Sequence, residues 1–116
     1  MSRIEALAEL IAKVEAGHWM HGANTATRAI FPYDEMSEND LGLCAFAAFE
    51  GSLDAAKALH EAVLPGAWAH VRYTGEYGHA TVDVKGEEYD ANNADNPARA
   101  WLLAILRALH AQEAAE

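Results

Sequence analysis

Apolar residues recur at helical spacing at both ends of this chain and alternate in between, which divides it into helices around a small sheet. The last strong pattern, Asn96–His110, has Asn96 as a cap and Pro97 at the first helical position, where a missing N–H costs nothing. Trp101, Leu102, Ile105, Leu106 and Leu109 then fall on one broad face that has to be covered. The first pattern opens with the capping box Ser2–Glu5. Ile4, Leu7, Ala8, Ile11 and Val14 predict its buried face, and Gly17 predicts a stop after Ala16.

Between them, Ser52 caps a helix whose predicted inner stripe is Leu53, Ala56, Leu59 and Val63, with His60 on the surface. Leu64-Pro65-Gly66 ends it. Ala67–Tyr73 and Ala80–Lys85 alternate as the strands of a hairpin. If their apolar sets share a face, Val71 pairs with Ala80 and Ala69 with Val82. Trp68, His70, Arg72, His79, Thr81 and Asp83 then share the other face. Tyr89 fits a short third strand after the Gly86 turn. Leu41–Phe49 is nearly all apolar; length and period allow a buried strand or a short helix, and the acidic lead-in with its alanines favours helix. Residues 18–40 are the least patterned, and the final AQEAAE is expected to fray. The expected class is α+β: one domain, 1–116, with helices packed on a small antiparallel sheet, sandwich-like. The terminal helices are expected to flank a central helix and hairpin.

Composition narrows the function. The chain has 116 residues, a formal charge of −10 and one cysteine. No internal disulfide can form, and a reducing, cytoplasmic setting is expected. Neither a signal-peptide core nor a membrane-spanning run is present in the sequence. The charge argues against direct binding of nucleic acid or an anionic membrane. It suits either plain solubility, as in many small acidic proteins, or a partner with a basic surface. Two acidic groups are the candidate contacts: Asp34, Glu35, Glu38 and Asp40 before the apolar run, and Asp83, Glu87, Glu88 and Asp90 around the hairpin.

Other chemistry is weaker. His18 and His21 have i,i+3 spacing with no recognisable completing ligands, so no metal is expected, and no cofactor motif occurs. Trp19 and Met20 between them suit a plug over the core. Cys44 reads as a small buried hydrophobe. TGEYGH lacks the spacing of a phosphate loop. His70, Arg72, His79 and Asp83 are the best acid–base constellation, and cross-strand polar pairing explains them as well.

Three segments in order, GSLDAAKALHEAVLPGAW (Gly51–Trp68), GHATVDV (Gly78–Val84) and NPARAWLLAILRALHA (Asn96–Ala111), together with an N-terminal helix ending VEAG, resemble the phage ABA-sandwich domain family. Residues 18–39 lie outside the resemblance. It implies helices on both faces of a small sheet and a phage or prophage origin, and it brings no catalytic residues. Charge and resemblance together lead to the expectation of a non-enzymatic accessory protein in the host cytoplasm. It would bind a host or defence protein, as an anti-CRISPR-type inhibitor does, with an acidic surface against a nucleic-acid-binding site. The alternatives are a virion component held through apolar residues around Trp19, Phe31 and Tyr33, and a small enzyme using His70, His79 and Asp83. The alanine-rich helix surface is compatible with a homodimer.

Overall fold

The C-terminal helix is the centre of the molecule. A computed structural model describes residues 2–19, 24–31 and 40–115; for residues 24–26 and 93 only the backbone is described. The elements are α1 (Arg3–Glu15), α2 (Asn24–Ile30), α3 (Leu41–Phe49), α4 (Leu53–Val63), β1 (Trp68–Tyr73), β2 (Gly78–Val84), β3 (Glu87–Ala94) and α5 (Pro97–Ala115). The class is α+β, with helices packed on a three-stranded antiparallel sheet of order β1-β2-β3.

Asn96 caps α5 as expected: its Oδ1 accepts from the Arg99 N–H at 2.8 Å. Burial on α5 is wider than one face. Ala98, Ala100, Leu102, Ala104, Ile105, Leu106 and Ala108 are all fully buried, and these point in every direction around the helix. A helix apolar all round belongs in a core. Here the sheet packs on α5, and so do α1, α3 and α4, while α2 packs on α1. The tail is helical to Ala115 rather than frayed. Glu113 forms an ion pair with Arg3 of α1, which anchors the last turn.

Two helices are rotated from the predicted stripes. On α1 the buried residues are Ala6, Leu7, Leu10 and Val14, and Ala8 is exposed. On α4 they are Ala56, Leu59 and His60, whereas Leu53 is 47% exposed. His60 is therefore not a surface residue. Trp101 Nε1–H, which can only donate, reaches His60 Nδ1 at 3.1 Å. That leaves Nδ1 as the acceptor and Nε2 as the nitrogen that donates to the Ala67 carbonyl at 3.0 Å. One imidazole thus joins α4, α5 and the start of β1.

Leu41–Phe49 is a helix, and Asp40 explains why. Its Oδ1 caps α3, accepting from the N–H groups of Gly42 at 2.9 Å and Leu43 at 3.3 Å. Both carboxylate oxygens also accept from the Arg28 guanidinium at 2.9 Å, tying α2 to α3. The Arg28 hydrogen bonds hold the Asp40 carboxyl below its ordinary value, helped by the Leu43 and Gly42 N–H groups and opposed by burial. A depressed folded-state pKa contributes stability above the unfolded value, which is lost as pH falls through the folded one. Stability is therefore expected to fall on acidification below about pH 4. In Asp40→Ala that part of the acid-side loss should vanish, with stability at neutral pH lower by about 1–2 kcal/mol. Urea denaturation across pH checks both.

Trp19 does plug the core: its ring lies 5.4 Å from Phe46 and 5.5 Å from Phe49. Phe31 is buried rather than exposed. Met20, His21 and Tyr33 lie outside the described residues.

Candidate functional site

The hairpin register places the site. Ala69 pairs with Val82 and Val71 with Ala80, as the alternation requires. Their face packs on α5, so Trp68, His70 and Arg72 turn away from it together with His79, Thr81 and Asp83. Lys85 and Gly86, both at positive φ (54° and 89°), make the two-residue turn into β3. A turn with two such residues matches strand twist, and the Asp83 carboxylate steadies it by accepting from the Gly86 N–H at 2.9 Å. β3 pairs Asp83 with Glu88 and Thr81 with Asp90.

The outward face thus has three rows across the sheet: Trp68–Asp83–Glu88, His70–Thr81–Asp90, and Arg72–His79–Asn92. No described helix covers it, unlike the two-sided cover that the resemblance implies. Trp68 is 81% exposed, an unusual position for so large an apolar surface. The last row encloses a shallow hollow of about 150 Å³ lined by His70, Arg72, His79, Thr81 and Asn92.

The electrostatics are uneven. Thr81 Oγ1 donates to Asp90 Oδ1 at 2.7 Å. Among the described residues no side-chain cation pairs with Asp83, Glu88 or Asp90; the ion pairs use Glu15, Asp40, Glu61, Asp95 and Glu113. Asp83 and Glu88 stand directly opposite each other, an arrangement that costs a sheet stability.

Of the acidic candidates, the structure therefore gathers Asp83, Glu88 and Asp90. Glu87 pairs with Val84, which puts it on the helix side of the sheet at its exposed end. Asp40 is engaged as cap and ion-pair partner. Asp34, Glu35 and Glu38 lie outside the described residues.

The acid–base constellation shares the face without forming a dyad. His79 Nδ1 meets Asn92 Oδ1 at 3.2 Å, and Asp83 Oδ1 is used by the turn. Among the described residues no group of three or more His, Cys, Asp or Glu side chains is arranged to hold a metal ion. Burial, and then the Asp40 charge, push the Cys44 thiol up, away from nucleophilic thiolate.

A separate cleft of about 330 Å³ runs between the end of α1 and α5, lined by Glu15, Asn92, Asp95, Arg99 and Arg107 among others. Its arginines are occupied. Arg99 pairs with Asp95 at 2.7 Å, donates to the Phe49 carbonyl at 3.0 Å and lies over the Phe49 ring. Arg107 pairs with Glu15 at 3.0 Å and donates to the Asp90 carbonyl. The cleft reads as a strut between layers.

Comparison of the chain with protein-family models, with curated proteins and with solved structures gives no match. Asn92 and the exposure of Trp68 were not accessible to pattern reading: the first needs the length of β3, the second the placement of the described helices on the other face. None of the described helices is long and apolar enough to cross a membrane.

Proposed function

We propose that this protein is a non-enzymatic accessory protein of phage or prophage type. It binds a host or defence protein by setting the acidic part of its open sheet face, Asp83, Glu88 and Asp90, against a basic surface of the kind that holds nucleic acid. The observation that carries this reading is the direct cross-strand pair Asp83–Glu88, which no side-chain cation among the described residues joins, beside an exposed tryptophan. Like charges so placed weaken a free domain and are relieved when a partner supplies Lys or Arg. Trp68 at the end of the same row offers the apolar anchor that a salt-screened charge pair alone lacks. The host cytoplasm is where such a partner would be met.

The test is capture of proteins from bacterial lysate on the immobilised chain, at low and high salt, beside the double reversal Asp83→Lys with Glu88→Lys. A nucleic-acid-binding protein that is retained at low salt, released at high salt and lost with the reversal supports the reading. A partner held equally by wild type and reversal, and insensitive to salt, contradicts it.

A further inference from the structure

The sheet has two edges, and they are protected very differently. On β3 the edge carries Glu87, Glu88 and Asp90, Arg107 of α5 donates to its Asp90 carbonyl, and a register irregularity bends the ladder at Gly78/Ala80. Charges, cover and bulges are the usual means of keeping an edge from pairing. β1 has almost none of them. It contains no proline and no acid, and every residue from Trp68 to Tyr73 except Val71 is exposed. Among the described residues, no hydrogen bond other than its pairing with β2 involves β1. An edge of this kind accepts another strand.

We propose that β1 pairs with β1 of a second copy of this chain, antiparallel, about a two-fold axis at His70. The register follows from face and charge. Directly paired residues must share a face, so the axis can pass through a residue but not between two. An axis at His70 sets Trp68 opposite the partner copy's Arg72 and Ala69 opposite its Val71. The row Glu88–Asp83–Trp68 of one copy then runs into the row Arg72–His79–Asn92 of the other, acid half meeting basic half, twice by symmetry. Trp68 and Arg72 are a favourable cation–aromatic pair across strands. An axis at Val71 instead sets His70 opposite Arg72 and leaves Trp68 against Thr74, so that the doubly acidic row of Asp83 and Glu88 meets no basic one and the Arg72 row meets only Asp90. An axis at Ala69 leaves Arg72 and Tyr73 unpaired. The His70 register is the one in which β1 complements itself. The result is a continuous six-stranded sheet whose open face is doubled, and it stands whether or not that face binds a basic partner.

The first readout is sedimentation equilibrium of the intact chain over a wide concentration range. A concentration-dependent dimer is expected. Arg72→Glu should raise its dissociation constant at least about tenfold, because it removes the cation opposite Trp68 and places an acid beside the partner copy's acidic row. Trp68→Ala should act in the same direction, and serves if Arg72→Glu does not fold. The second readout is geometric. In a Cys44→Ala background, mild oxidation of His70→Cys should join two chains through a disulfide at the axis, while Asn92→Cys on the same face should not. The proposal is overturned if the wild-type chain is monomeric throughout, which leaves the edge for an extended segment of another protein. It is equally overturned if a dimer is indifferent to both Arg72→Glu and Trp68→Ala, or if Asn92→Cys cross-links as readily as His70→Cys.

Discussion

Gly78→Ala is expected to lower stability by about 3 kcal/mol or more, a fall in Tm of about 10–20 °C. Gly78 opens β2 and is buried where the strand crosses the start of α5. A Cβ there would lie 2.5 Å from the Asn96 carbonyl oxygen and closer still to the Asn96 carbonyl carbon and the Pro97 nitrogen. All three are backbone atoms, so no rotamer change relieves the overlap. Asn96 is also the cap of α5, which means that a shift there loosens the helix at the centre of the core. The residue is needed for close approach and not for an unusual φ. By contrast Gly66 has open space around it, and its requirement is conformational, with φ at 82°. Thermal unfolding of Gly78→Ala followed by circular dichroism is the check; a loss below about 1 kcal/mol would mean that β2 and α5 are not in this contact.

Leu102→Ala is expected to cost about 3–5 kcal/mol, the upper part of the range for a buried leucine. Leu102 is fully buried on α5, which has packing partners on every side, so no neighbour can collapse freely into the space. Leu53→Ala should cost less than about 1 kcal/mol, because Leu53 is 47% exposed. The pair is informative because pattern alone assigns both leucines to the core. Urea denaturation of the two variants reads the difference directly; equal losses would contradict the placement of α5 at the centre and the rotation of α4.

Much of this architecture was legible in the residues. Ser2, Ser52 and Asn96 each cap the helix that follows, because a side-chain oxygen next to free N–H groups acts locally. The β1–β2 register was legible because strand period is two and one face must be apolar. What escaped was decided by neighbours distant in sequence. His60 fell off the predicted stripe of α4, yet it is buried by Trp101 of α5 and the Ala67 carbonyl, neither of which a helical period can show. On α1, Leu10 is buried and Ala8 exposed, in a helix that packs on both α5 and α2. The fraying expected of AQEAAE ignored Arg3, far away in sequence, which holds Glu113.

The candidate site was partly legible for the same reason. Asp83 and Asp90 could be placed near the hairpin from sequence, but Glu87 and Glu88 parted company only once β3 was seen to pair with β2. Asp40 sat in an acidic run that looked uniform. Its roles as helix cap and Arg28 partner set it apart from a solvated carboxylate.

The most direct measurement of the central claim is made on one variant, Glu88→Lys, with stability and partner capture read from the same preparation. Lysine opposite Asp83 replaces a repulsive cross-strand pair by an attractive one. The account predicts a free domain more stable by about 0.5–1 kcal/mol and, at low salt, loss of the partner that wild type retains. Capture of that partner undiminished by Glu88→Lys, or a variant less stable than wild type, would contradict it.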